Sequence, residues 1–177
     1  MHSSPAEVQR FFLYAGHFQF YLRDEETYWD AVRNGDIDGQ PWAEEASELM
    51  RIGVEPTSIA VGTARQGWVP MTLRVQASPP PAEFLDEADH VVEADLALPT
   101  GRLSIYGCDQ EPGTEDVLVL PPHTYRTRIS YMPTQFVHPD TDDDEPGDHF
   151  EYRVEMWATT EKTEVHVLKQ GPTPWSG

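Results

Sequence analysis

His138 and His149 bracket the run Asp140-Thr141-Asp142-Asp143-Asp144-Glu145, the densest group of metal-type ligands in the sequence. Clustered carboxylate and carbonyl oxygens suit calcium, and the loops of a β-sandwich can supply them. The spacing argues against a built calcium loop, which alternates its acids, places glycine at the sixth position and ends on glutamate. A solvated acidic tip is therefore the expectation, with loose calcium binding at Asp140, Asp142, Asp144 and Asp148 as the alternative. No cofactor is expected, and one cysteine with seven scattered histidines makes no zinc-type spacing.

Nucleophilic chemistry finds no better footing. Cys108 lies in Tyr106-Gly107-Cys108-Asp109 without a catalytic context, and a lone cysteine there reads as a small buried hydrophobe. There is no Gly-x-Ser-x-Gly elbow and no phosphate loop. His17 and His123 fall at strand edges, as surface or hydrogen-bonded histidines do. No catalytic residue is assigned; an unrecognised enzyme would need a cleft where polar groups with perturbed ionisation converge. Arg126, Arg128 and Arg153 occupy the polar faces of late strands, as do Glu93, Asp95, Glu151 and Glu155. That pattern predicts cross-strand ion pairs on an outer sheet face, with an anion-binding patch as the alternative. Trp42 and Trp157 read as core, whereas Trp29 and Trp68 fit either the core or a binding rim.

Charge is the dominant feature. Thirty-one Asp+Glu face 12 Lys+Arg, a formal net charge of -19. Such a surface repels phosphate, which disfavours direct nucleic-acid binding and adsorption to anionic membranes, and attracts basic proteins. Glu44, Glu45 and Glu48 and the tip Asp142, Asp143, Asp144 and Glu145 are the candidate partner-binding residues. Adaptation to salt or a GC-rich genome would also give an acidic, lysine-poor composition, here with Lys162 and Lys169 as the only lysines.

The elements that would position these residues are mostly strands. At 177 residues, 38% hydrophobic and 24% charged, the chain fits one domain with its own core. An ordered core over about residues 11–169, the acidic loop 137–148 and a loose tail 170–177 are expected. No apolar run approaches the roughly 20 residues a membrane helix needs. The N-terminus lacks a basic region followed by an apolar block, and a single cysteine excludes an internal disulfide; both point to the cytoplasm. Phe11 to Arg23 reads as the first ordered segment, and within it Phe18, Phe20 and Leu22 alternating against Gln19, Tyr21 and Arg23 mark a half-buried strand. Residues 24–33 form a short turn or helix that stops near Asn34-Gly35. The clearest helix is predicted from Pro41 to Ile52, with Trp42, Ala46, Leu49 and Met50 on its apolar face and Gly53 as its left-handed stop.

Alternation then marks strands at Ile59–Val61, Val69–Val75, Val92–Leu98, Leu103–Ile105, Val117–Leu120, Tyr125–Tyr131, Phe150–Met156 and Thr163–Leu168. Short strands with one polar face, joined by Pro, Gly and Asp turns, define the fold class. It is mainly β: an antiparallel two-sheet sandwich with one or two short helices near the N-terminal third. Residues 76–81 should form an extended proline-rich loop.

The segment order carries a resemblance. His17-Phe18-Gln19-Phe20, Trp29, the acidic helix, Ile59-Ala60-Val61 and Val69-Pro70-Met71-Thr72-Leu73-Arg74-Val75 follow one another. His90 to Leu98, Leu103-Ser104-Ile105-Tyr106 and Leu118 to Arg126 come after them. From about Phe11 to Trp157 this order resembles the ComJ family, the competence-associated inhibitors of DNA-entry nuclease. The proline-rich segment and the 137–148 loop depart from it by their length. The resemblance implies an acidic, non-catalytic cytoplasmic partner that blocks a basic nuclease, and assigns no individual inhibitory residue. A calcium-assisted binding module on the same sandwich and an unrecognised enzyme are the alternatives.

Overall fold

The computed structural model describes residues 7–111, 113–142, 144 and 146–172, without the side chains of residues 83 and 84. Strand β1 (Val8–Ala15) leads through a 3-10 turn, Gly16–Phe18, into β2 (Gln19–Arg23), and α1 (Glu25–Asn34) and α2 (Ala46–Met50) follow. Nine more strands complete the chain: β3 (Ile52–Glu55), β4 (Ser58–Gly62), β5 (Gly67–Gln76), β6 (His90–Leu98), β7 (Arg102–Gly107), β8 (Asp116–Val119), β9 (His123–Pro133), β10 (Phe150–Ala158) and β11 (His166–Lys169). They form a six-stranded sheet, β1-β5-β10-β9-β6-β11, and a five-stranded sheet, β3-β4-β2-β7-β8. All pairings are antiparallel except β5 with β10, which run parallel. No helix among the described residues is long and apolar enough to cross a membrane.

Alternation explains the core. Leu73, Val92, Ile129, Tyr131 and Val154 of the larger sheet and Phe20, Leu22, Ile59 and Ile105 of the smaller one are buried in a single cluster. Burying each large aliphatic or aromatic side chain contributes about 1.5–3 kcal/mol, so this shared interior fixes which face of each strand turns inward.

The expected first ordered segment holds two strands, because the chain changes sheet inside it. His17 and Phe18 adopt φ of 52° and 58°, a left-handed bend that passes the chain from β1 in the larger sheet to β2 in the smaller. Gly107 at the end of β7 makes the corner possible: a Cβ there would lie 1.8 Å from the Tyr14 carbonyl oxygen. The two sheets' backbones touch at a point where only hydrogen fits.

The helices also depart from expectation. Residues 24–34 give the longer helix, capped by Asp24, whose carboxylate accepts from the Thr27 amide at 3.3 Å, and ended by Gly35 at φ 77°. The predicted Pro41–Ile52 helix shortens to Ala46–Met50, with Arg51, not Gly53, in the left-handed closing position. Gly53 lies in β3, where a Cβ would fall 2.3 Å from the Pro41 carbonyl oxygen. The expected apolar face does not form either: Leu49 is 58% exposed, Ser47 is buried, and Trp42 donates to Gln19 Oε1 at 2.6 Å. With only one turn of helix, period alone could not decide which side faces in. The apolar run Val117 to Leu120 falls largely in β8, an edge strand with Val119 74% exposed.

The outer face of the larger sheet carries the expected ion pairs. Arg126 binds Glu93 at 3.3 Å and Asp95 at 3.0 Å, and Arg128 binds Glu93 at 2.8 Å. Glu93, Arg128, Glu155 and Arg74 stand on one rung across β6, β9, β10 and β5, with alternating sign. Burial nevertheless pushes the Glu155 carboxyl up, against the pull of Arg128, Arg153 and Arg74.

His90 closes the end of the sandwich. It is fully buried; Nε2 donates to the Met50 carbonyl at 2.9 Å and Nδ1 accepts from the Gly171 amide at 3.1 Å. Accepting at Nδ1 requires the neutral ring, and burial holds its pKa down at about 4. Gly171 and Pro172, the described start of the expected loose tail, are thus fastened, Pro172 through its carbonyl to Arg51 Nη2; residues 173–177 lie outside the described residues.

Two outcomes follow. Replacing Gly107 with alanine should destabilise the fold by about 3 kcal/mol, the upper end of overpacking costs, read as a lower midpoint in urea; an unchanged midpoint would show that the sheets do not meet there. The unfolded state of His90 binds its proton near pH 6.5 and the folded state only near 4. Its neutral form therefore contributes stability that is complete above about pH 6.5 and lost as pH falls to about 4, roughly 3 kcal/mol in all. Unfolding curves of wild type and His90→Gln should converge by about that amount from pH 7 to pH 4. A gap that stays constant would contradict the assignment.

Candidate partner-binding surface

The acids singled out from sequence fall on two separate parts of the molecule. Glu44 and Glu45 lie in the turn before α2 and Glu48 within it, all exposed. Asp142 and Asp144 are exposed on the loop between β9 and β10, while Asp143 and Glu145 lie outside the described residues. Among the described residues, no hydrogen bond or ion pair joins the two groups.

The acidic loop is pinned rather than free at its base. Arg65, 5% exposed, donates from Nη2 to the Asp142 carbonyl at 2.8 Å and from Nη1 to the Gly147 carbonyl at 3.2 Å, and lies 3.0 Å from His149 Nε2. At its start His138 stacks on Trp68, with centroids 5.0 Å apart, and tilts against Phe12. Phe12, Tyr14 and Phe136 beside it are 44%, 41% and 52% exposed, so Trp68 belongs to an aromatic surface next to the loop. Among the described residues no three His, Cys, Asp or Glu side chains group as a metal site would require. Asp142 Oδ1 is used locally, accepting from the Asp144 amide at 3.0 Å.

Cys108 differs from the buried hydrophobe expected of it. Half-buried, it accepts from the Tyr21 hydroxyl at 3.4 Å and from Gln19 Nε2 at 3.6 Å. It joins a polar aromatic layer under α1. Arg23 lies at its centre, 4% exposed, with its guanidinium 3.6 Å from the Tyr28 ring centroid. It donates to Ser58 Oγ at 2.8 Å and to the Tyr106 hydroxyl at 2.7 Å; Tyr106 in turn donates to Glu25 at 2.7 Å.

Of the selected acids, Glu44 lines two concave surfaces. One depression of about 750 Å³ is lined by Asp36, Asp38, Glu44 and Glu55, and a second of about 970 Å³ by Glu44, Glu55, Asp95, Glu161 and Glu164. They share an apolar strip of Val54, Pro56 and Val165. Lys162 is the one lysine or arginine lining either, among the described residues. Sequence reading passed over Glu55, because an acid before Pro56 at a strand end reads as a solvated turn. In the structure it is 8% exposed. It lies on one rung with Ser58 and Arg23, facing outward beneath the α1 layer. The Tyr28 hydroxyl hydrogen-bonds its carboxylate; burial first, and then this bond, push the Tyr28 pKa up to about 12.

No protein-family model matches the sequence, and neither does any curated protein. Two solved structures do match in fold. ComJ of Bacillus subtilis, the inhibitor of the DNA-degrading activity of NucA, superposes with a TM-score of 0.59 at 12% identity, over 88% of this chain and all (100%) of ComJ. The product of crocagin biosynthetic gene J also gives 0.59, at 17% identity, over 88% of this chain and 99% of that one. At these identities the likeness is one of fold: this chain is a β-sandwich folded like ComJ.

Proposed function

We propose that this chain is an acidic, non-catalytic binding protein whose partner is a basic protein, and that it acts as an inhibitor or immunity-type partner of a nuclease. One observation carries the reading: the protein spends its cations inside. Five arginines of the 12 Lys+Arg are buried, Arg23, Arg51, Arg65, Arg126 and Arg128, whereas among the described residues only Asp24 and Glu55 of the 31 Asp+Glu are. The solvent-facing charge is therefore more lopsided than composition alone conveys. A nuclease that grips DNA offers a cationic cleft, and exposed carboxylates can fill it in place of phosphates. The fold shared with an inhibitor of NucA supports the same reading. Glu44, Glu45 and Glu48, before and within α2, and the acids of the loop at 142–145 are the proposed contacts.

The test is capture from lysate of the source organism at physiological salt, followed by a DNA-degradation assay on what high salt releases. A basic nuclease should be recovered at near-equal stoichiometry and be inhibited on adding the protein back. Reversing the charge of Glu44, Glu45 and Glu48, or of residues 142–145, should weaken that binding tenfold or more, as rim charges acting together do. Recovery of no nuclease, or variants that bind as tightly as wild type, would overturn the proposal.

A further inference from the structure

The two depressions meet at Val54, Glu55 and Pro56, where β3 ends. A carboxylate as buried as Glu55 is ordinarily paired, because removing its water must be offset by hydrogen bonds or a counter-charge. The Tyr28 hydroxyl serves the carboxylate, but among the described residues Oε2 is buried without a hydrogen-bond partner and Glu55 makes no ion pair. Arg23, two strands away on the same rung, is occupied by Ser58, Tyr106 and the Tyr28 ring. Lys162 makes no ion pair with Glu55. The walls around this oxygen carry further uncompensated acids, Asp36, Asp38, Glu44, Glu161 and Glu164, all exposed. Asp95, by contrast, is already held by Arg126 and by the Thr163 amide.

We infer that Glu55 is the receptor for one arginine side chain of a basic protein partner, seated where the two depressions join. The methylene stem lies along Val54, Pro56 and Val165, and the guanidinium supplies the donor that Oε2 lacks. Arginine suits the place better than lysine because its delocalised charge is more weakly hydrated and loses less on entering a buried site. The exposed acids at the rim steer the cation in, and the single buried carboxylate fixes its position. The identity of the partner as a basic protein rests on the proposed function; the cation site itself rests on Glu55.

The probe is Nα-acetyl-arginine amide, titrated into the full chain and followed by amide chemical shifts, with Nα-acetyl-citrulline amide as the neutral isostere. Saturable shifts centred on Val54, Glu55 and Val165 are expected with arginine and not with citrulline. Glu55→Gln should weaken arginine binding about tenfold or more, as loss of a charge-assisted bond does. Shifts scattered over the acidic surface, equal effects of citrulline, or full binding by a folded Glu55→Gln would each overturn the site. If that variant does not fold, the arginine–citrulline contrast on wild type decides alone. A nuclease that binds wild type and Glu55→Gln equally removes the site and leaves the inhibitor reading. A saturable arginine site at Glu55 with no nuclease captured does the reverse.

Discussion

Buried arginines fasten the irregular segments of this protein to its two sheets. Arg126 reaches the Thr163 and Glu164 carbonyls at 3.3 and 3.0 Å, and Arg128 the Pro80 and Pro81 carbonyls at 3.4 and 3.5 Å. Arg65 holds the acidic loop through the Asp142 and Gly147 carbonyls, Arg51 holds Pro172, and Arg23 carries Tyr28 of α1 on its guanidinium face. Taking a guanidinium out of water costs several kcal/mol. Each bond from a charged donor returns about 1.5–3 kcal/mol, so a guanidinium with several carbonyl or carboxylate acceptors is sustained. Arginine's rigid five-donor fork and weaker hydration suit this role better than the compact, strongly hydrated ammonium of lysine. The sequence's preference for arginine thus has a structural use whatever its genomic origin.

The same arrangement shapes the exterior. Cations turned inward cannot neutralise the surface, and the polar layer beneath α1 ends at Glu55, among the described residues the one buried carboxylate besides Asp24. Asp24 is saturated, by the Thr27 amide and by both the amide and hydroxyl of Thr100. Glu55 is not. The contrast between these two buried acids separates a residue that holds the fold from one whose second oxygen is left unused among the described residues.

Much of the architecture was legible in the sequence. Alternation at Val92–Leu98, Tyr125–Tyr131 and Phe150–Met156 identified strands whose inward residues do form the core. Pairing of Arg126 and Arg128 with Glu93 and Asp95 followed from their shared outer face. Their depth did not, because burial comes from loops that cross over them, and period two says nothing of what covers a polar face. The sheet change at Gly16–Phe18 was hidden because hydrophobic residues continue across it. Glu55 was hidden for the same kind of reason: its burial is imposed by α1 and the turn after it, contacts that no local pattern encodes.

The central claim, that an uncompensated acidic exterior brings a basic nuclease to this protein, is tested most directly by association kinetics across ionic strength. Steered encounter between opposite charges should make the association rate fall at least tenfold from about 50 to about 500 mM salt, while dissociation changes far less. An association rate indifferent to salt would mean that the exposed carboxylates do not guide the encounter, and would return the charge to composition alone.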